Sequence, residues 1–332
     1  MSEKILVIGS NSFSGSSFVA HALETGATVI GTSRSTEPNA VFLPYRLIDP
    51  AVQSRYRFEQ LDINSDLDTL MAIIEKFKPE YVVNFAAQSM VAESWQYPDH
   101  WMMTNVVSTV RLHERLRKCE FLKKYVHIST PEVYGSCYGL VPENTVYNPS
   151  TPYAVSRAAA DMNLMTYFKQ YKFPVVFTRA ANVYGSGQQL YRIIPRTILF
   201  FLTERKLQLH GGGHSVRSFI HIKDVSEGTL QVMRSAQPGE IFHLSTSRNI
   251  SIREVVELIA ARLGVAFDEL VEVVGDRPGK DSAYLLDSTK ARTTLGWQDR
   301  VTMEQGIDET ISWVRSNIDT ILQQPFDYIH KP

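Results

Sequence analysis

Two hydroxyls, one carboxylate, a phenol and a guanidinium stand in the middle of the chain as groups able to move a proton and hold an oxygen. They are Ser129, Thr130 and Glu132 within Tyr125-Val126-His127-Ile128-Ser129-Thr130-Pro131-Glu132-Val133-Tyr134-Gly135, then Tyr153 and Arg157. An apolar run leads into the hydroxyl pair, the acid and a glycine turn, as at the end of a buried strand. Tyr153-x-x-x-Arg157 opens a helical pattern, and residues four apart share a helix face. A phenol titrates near ~10 in water, so it needs a neighbouring cation to act as a base at neutral pH. Glu132 is the acid beside the hydroxyl pair, which suits proton abstraction next to a ketone. The combination is that of a redox site coupled to proton transfer. Taken alone, the stretch reads as a strand, a turn and a surface helix; nucleotide-binding signals elsewhere in the chain favour chemistry.

The elements that would position these groups follow from periodicity. Ile5-Leu6-Val7-Ile8 is a continuous apolar run, expected of a strand covered on both faces. Gly9-Ser10-Asn11-Ser12-Phe13-Ser14-Gly15 follows, and Phe18, Val19, Ala22 and Leu23 give helical spacing. A strand, glycine turn and helix let backbone N–H groups face a pyrophosphate, so Gly9, Asn11, Ser12, Phe13, Ser14 and Gly15 are cofactor candidates. Ser12 takes the place of the usual middle glycine, which predicts a less close approach to the phosphates. The second strand, Ala27 to Gly31, runs into Thr32-Ser33-Arg34-Ser35 with no acid. An acid there suits NAD and an arginine suits the 2′-phosphate of NADP. The expected cofactor is NADP, with NAD as the alternative; Arg34 is its phosphate clamp or else a solvated loop cation.

Further strands at Arg57 to Asp62 and Tyr81 to Phe85, separated by a helix at Leu67 to Phe77, predict an α/β fold with a Rossmann-type, doubly wound parallel sheet. Asp62, with Ile63 beside it, is placed to meet the adenine. Ala86 and Ala87 leave room for a flat nucleotide, and Gln88 and Ser89 point to the same mouth. Helical stretches run from Pro98 to about Lys118 and over 153–171, the second with Ala154, Ala158, Met162 and Met165 as a stripe for the core or an oligomer seam. Beyond the strand Phe173 to Phe177, loops lengthen. The expected division is a dinucleotide-binding domain over 1–180, a smaller substrate domain over 181–320 with segments returning to the first, and a loosely ordered tail over 321–332. Arg217, after three glycines, and Arg277-Pro278-Gly279-Lys280 are loop cations able to bind phosphate in pairs of hydrogen bonds.

Composition limits the alternatives. The chain has 332 residues, 44% of them hydrophobic and 21% charged, with a formal net charge of -1. That balance gives no drive toward nucleic acid or membrane, so an anionic ligand must find local cations. Cys119 and Cys137 are the only two cysteines, too few for a disulfide framework. Cys119 reads as a buried helix residue and Cys137 as incidental. The absence of a signal-like start leads to the expectation of a cytoplasmic protein.

The ordered motifs Phe85-Ala86-Ala87-Gln88-Ser89, Ser129 to Gly135, Pro152-Tyr153-Ala154-Val155-Ser156-Arg157-Ala158-Ala159-Ala160-Asp161, Arg179 to Gly185, Arg217-Ser218-Phe219-Ile220-His221, Arg277-Pro278-Gly279 and Leu295-Gly296-Trp297 resemble the extended short-chain dehydrogenase/reductase superfamily. Within it, the chain is similar to the nucleotide-sugar 4,6-dehydratases acting on dTDP-glucose or GDP-mannose. The resemblance implies a nucleotide-diphosphate sugar as substrate. Its carbon 4 is oxidised, water is lost across carbons 5 and 6, and the hydride returns at carbon 6. It further implies that Tyr153 takes the hydroxyl proton, Thr130 holds the sugar oxygen and Glu132 takes the carbon 5 proton. Gln88, Ser89, Asn182, Arg217 and Arg277 would hold the substrate, and a homodimer would pair through 100–118 and 153–171. Three positions depart from the pattern. Arg157 replaces a lysine, Pro131 replaces an Asp or Ser, and Ser12 replaces a glycine. Nucleotide-sugar 4-epimerases, uronic acid decarboxylases and a silent nucleotide-sugar binder are the competing readings.

Overall fold

Ile5, Leu6, Val7 and Ile8 are sealed from water, and their alternating side chains divide the core in two. Ile5 and Val7 join one cluster with Val29, Val83, Val126 and Val176. Leu6 and Ile8 join another with Val82, Tyr125, Val175 and Phe177. A strand buried on both faces must be apolar at every position, which is why these runs do not alternate with polar residues. The computed structural model describes residues 2–136, 139–275 and 285–332. Cys137, Arg277 and Lys280 lie outside the described residues.

The strands are β1 (Lys4–Ile8), β2 (Thr28–Ser33), β3 (Tyr56–Gln60), β4 (Tyr81–Asn84), β5 (Lys124–Ile128) and β6 (Val175–Ala180), with Ile241–Leu244 beside β6. The resulting seven-stranded sheet has the order β3-β2-β1-β4-β5-β6 followed by Ile241–Leu244, and every pair is parallel. This is the doubly wound sheet that the alternation of strands and helices predicts. Strand order reverses between β1 and β4, and such a switch point opens a crevice at the carboxyl ends of the strands.

Helix Phe13–Glu24 and helix Ile222–Ser235 cover one face through Phe18, Val19, Leu230 and Val232. Helices Leu67–Phe77 and Pro152–Tyr171 cover the other through Leu70, Ile74 and Leu164. The stretch expected as one helix to about Lys118 ends at Leu116 and carries a π-turn at Met103–Ser108. That turn buries Asn105, whose amide oxygen accepts from Gln88 N at 2.9 Å and whose Nδ2 donates to Gln88 O and to Ser156 Oγ, each at 2.9 Å. π-turns of this kind recur at functional sites; here one fastens the crevice lip to helix Pro152–Tyr171.

Helices Ile193–Leu202, Ile252–Leu263 and Met303–Ser316 build a separate core around Ile198, Val255 and Ile307. Beside them lies a three-stranded sheet of Asn249–Ser251, Val216–His221 and Asn182–Tyr184. The expected stripe on helix Pro152–Tyr171 is divided: Ala154 and Ala158 are core, whereas Met162 is 56% exposed. No helix of the described residues is long and apolar enough to cross a membrane. The segment after Ile321, expected to be loosely ordered, instead lies along the crevice with hydrogen bonds to Arg34 and Gln88.

Candidate active site

The glycine turn sits at the switch point. Gly9 has φ of 84°, and a Cβ there would come within 2.6 Å of Ala86 N; only glycine suits both demands. Ser12, in the place of the usual middle glycine, is the N-cap of helix Phe13–Glu24. Its Oγ accepts from Gly15 N at 3.0 Å and donates to Gly9 O at 2.7 Å. The serine thus holds the turn closed through its side chain. Phe13 and Ser14 begin the helix, where backbone N–H groups have no intrahelical acceptor and the dipole favours an anion. Asn11 N donates to Ser33 Oγ at 3.0 Å and Asn11 Nδ2 to Ser35 O at 3.0 Å, joining this turn to the end of β2. Asp62 Oδ1 accepts from Asn64 N at 2.8 Å, Ile63 is buried, and Ala86 and Ala87 are half-buried at the end of β4. These residues fit the pyrophosphate and adenosine of a dinucleotide.

The reacting groups converge from β5 and helix Pro152–Tyr171. Thr130 caps the short helix Pro131–Tyr134, its Oγ1 accepting from Glu132 N at 3.3 Å. Pro131 is the first residue of that turn, where a missing N–H costs nothing and a fixed φ helps. Thr151 caps the long helix in the same way, accepting from Ala154 N at 3.1 Å, with Pro152 next. The two caps set Thr130 and Tyr153 against each other, close enough for the hydroxyl to lower the phenol's pKa. Burial raises the Tyr153 phenol and the Glu132 charge raises it further; Arg157, the Thr130 hydroxyl and Arg192 oppose them and are outweighed. The guanidinium alone therefore does not make Tyr153 a base at neutral pH.

Arg157 is 2% exposed and its fork points into the sheet. Nη2 donates to Ile128 O and lies 3.3 Å from His127 Nε2, and the buried Nη1 has no hydrogen-bond partner among the described residues. A buried donor without a protein partner, on the residue whose charge reaches Tyr153, suits a ligand oxygen such as a ribose hydroxyl.

Beneath this lies a charge cluster that the sequence reading did not single out. Asp161 Oδ2 accepts from Arg179 Nη2 at 2.8 Å and Ser129 Oγ at 2.6 Å, and Oδ1 is 3.3 Å from His127 Nε2. Burial alone would raise the Asp161 carboxyl, but Arg179, His127 and Ser129 together hold it well below the ordinary range. Burial keeps His127 low and neutral. The signal was available: Tyr153, Arg157 and Asp161 recur every four residues on one helix face. Arg192, whose charge reaches Tyr153, was also missed; it precedes helix Ile193–Leu202.

The expected substrate residues are only partly assembled. Asn182 is in register with Phe219, two residues from Arg217, so Asn182 and Arg217 belong to one face of the small sheet. Arg217 is buried, with Nη1 donating to Val216 O at 2.8 Å. Gln88 is buried with its amide on Lys331 O at 2.7 Å, and Ser89 is exposed. Arg277 falls outside the described residues. Arg34 donates to the carbonyls of Lys331, at 3.1 Å, and Pro332.

Residues 6–310 match the family described as GDP-mannose 4,6 dehydratase. The dTDP-glucose 4,6-dehydratase of Neisseria gonorrhoeae is 33% identical over 340 residues, covering 95% of this chain and 96% of that protein. The crystal structure of a Streptomyces venezuelae dTDP-glucose 4,6-dehydratase with NAD bound superposes with a TM-score of 0.84 at 30% identity, covering 96% of this chain and 98% of that one. A Thermotoga maritima UDP-glucose 4-epimerase gives a TM-score of 0.85 at 27% identity, covering 95% and 99%.

Asp161→Asn leaves Arg179 charged, buried and poorly paired. The expected loss is about 3–5 kcal/mol, the usual result of removing one member of a buried ion pair, read as a lower midpoint in urea unfolding at neutral pH. Because folding depresses the Asp161 carboxyl, its contribution is present above the unfolded pKa and fades as pH falls through the folded one, so wild type and variant should converge in strong acid.

Proposed function

Because the chain belongs to the GDP-mannose 4,6-dehydratase family and is a nucleotide-sugar 4,6-dehydratase, we propose that it converts a nucleoside-diphosphate hexose to the 4-keto-6-deoxy sugar with Tyr153, Thr130 and Glu132 as the reacting side chains. The observation that supports the assignment is the convergence of Thr130, Glu132 and Tyr153 at the starts of two capped helices, with Thr130 and Glu132 both close enough to act on the phenol. A bound nicotinamide dinucleotide supplies the hydride acceptor for carbon 4, a positive charge near the phenol, and the hydride returned at carbon 6. Tyr153 takes the proton of the carbon 4 hydroxyl while Thr130 holds that oxygen. The new ketone acidifies the carbon 5 proton, which Glu132 removes. Pro131 has no side-chain donor, so Glu132 also delivers that proton to the departing carbon 6 oxygen, and a solvent proton, offsetting the one Tyr153 takes from the carbon 4 hydroxyl, returns to carbon 5 as the hydride is added at carbon 6. Arg157 keeps a fixed positive charge under the site and offers Nη1 to a cofactor hydroxyl. Asn182, Arg217 and Arg277 hold the diphosphate. At the end of β2, Arg34 stands in place of an acid, a feature that favours NADP over NAD wherever its guanidinium is free to receive the 2′-phosphate.

A panel of hexoses activated on GDP, dTDP, UDP and CDP tests this. The expected outcome is a 4-keto-6-deoxy product by mass spectrometry from at least one donor. Glu132→Gln should abolish that product while the cofactor still becomes reduced on substrate. An epimerised sugar, carbon dioxide from a uronic acid, or no turnover of any donor would contradict the reading.

The chain also carries an apolar surface on the two helical stretches beside the site. Met103, Val107, Val155 and Met162 are 43%, 36%, 40% and 56% exposed. Val155 and Met162 lie two turns apart on one face. We read this surface as the seam of a homodimer, in which those side chains are covered. Met162→Glu should convert a dimer to a monomer in sedimentation velocity; a wild-type protein that sediments as a monomer removes the seam.

A further inference from the structure

Residues 326–332 form a strap across the crevice mouth. Asp327 Oδ1 is 3.0 Å from Arg196 Nη1, and the Tyr328 ring packs edge-on against Tyr191 at 5.5 Å between centroids. The His330 imidazole lies parallel to the rings of Tyr97, His100 and Trp101, at 4.7, 5.2 and 5.3 Å, with its Nε2 2.9 Å from His100 Nδ1. Beyond this anchor, one carbonyl oxygen, that of Lys331, accepts from Gln88 Nε2 at 2.7 Å and from Arg34 Nη2 at 3.1 Å. Arg34 Nη1 donates to the carbonyl of Pro332, and Lys331 Nζ to Ser35 Oγ at 2.9 Å. Arg34 follows β2 and Gln88 follows β4, with β1 between those strands. The strap tip therefore bridges both lips of the switch-point crevice.

In sheets of this kind an acid at the end of β2 accepts from the adenosine ribose 2′-hydroxyl, and an arginine instead receives a 2′-phosphate. This chain has the arginine, yet both terminal nitrogens of its guanidinium are already occupied by carbonyls. Of the two strap oxygens at the guanidinium, that of Lys331 already takes two donors and that of Pro332 takes one. The Pro332 oxygen therefore keeps a lone pair for a hydroxyl donor and disfavours a phosphate, which carries only acceptors near neutral pH. We propose that the C-terminal strap is a cofactor-specificity element: docked, it withholds Arg34 and leaves the Pro332 oxygen as an acceptor beside the end of β2, so the site takes NAD; released, it frees Arg34 for the 2′-phosphate of NADP. Lys331 brings a cation of its own to the tip, but that ammonium is exposed and tied to Ser35, where solvent screens it. The inference rests on the reading that the crevice binds a nicotinamide dinucleotide.

Titration calorimetry with NAD and with NADP separates the outcomes. It is run on the full chain, on a form ending at Pro325, and on full-length His330→Ala, which unseats the anchor without shortening the chain. The full chain should prefer NAD. Both altered forms should lose about tenfold of that preference, ~1.4 kcal/mol, mainly through tighter NADP binding, and Arg34→Ala in the shortened form should cancel the gain. A ratio of the two affinities that is the same in all forms overturns the strap's role and leaves the dehydratase reading standing. So does a full-length Lys331→Ala variant that loses NADP affinity alone, because the tip would then be a phosphate ligand. Binding of neither dinucleotide to any form overturns both.

Discussion

The buried carboxylate of Asp161 fixes the geometry on which the chemistry depends. A carboxylate removed from water is costly unless its oxygens are paired and hydrogen-bonded. Asp161 meets that demand mainly at Oδ2, which gathers Arg179 from β6 and Ser129 beyond β5 against helix Pro152–Tyr171, while Oδ1 has His127 Nε2 at 3.3 Å but no hydrogen bond among the described residues. Three elements distant in sequence are thereby locked at one point. Tyr153 lies two helical turns before Asp161 and Thr130 lies one residue after Ser129. The approach of the Thr130 hydroxyl to the Tyr153 phenol follows from how these elements are joined at Asp161.

The same cluster explains what an arginine does in the place of a lysine. Arg157 sends one nitrogen to Ile128 O and His127 Nε2, and leaves the other without a hydrogen-bond partner among the described residues. A lysine has a single nitrogen and cannot do both. Its charge is real but not decisive: burial and Glu132 outweigh it at Tyr153. The free protein therefore holds the phenol above its ordinary value, and on the proposed reading a positive charge brought by the ligand would be needed to make it a base.

Much of this was legible in the chain. Continuous apolar runs gave the parallel sheet because burial on both faces demands them, and Tyr153 with Arg157 was visible because four residues make one helical turn. Local departures from the family pattern were visible but not their purpose. Ser12 and Pro131 read as losses, whereas the structure uses one as a helix cap and the other as the rigid first residue of a turn. Asp161 went unweighed because its partners lie 18 to 34 residues away in sequence, through Arg179, Ser129 and His127. Arg34 illustrates the limit most sharply. Its type suggests a phosphate clamp, but its partners are the last residues of the chain, 297 and 298 positions away. No local pattern encodes such a contact.

What sets the chemistry apart from simple dinucleotide binding is the balance of charge at one phenol. The direct test is a pH titration of Tyr153 in the ligand-free protein, followed through the carbon-13 shift of its ring carbon bearing the hydroxyl. The account predicts a pKa above the ordinary value of 10.0, because burial and Glu132 prevail over Arg157, and a downward move when Glu132→Gln removes the neighbouring charge. A phenol that titrates below 10.0 in the free protein would contradict it.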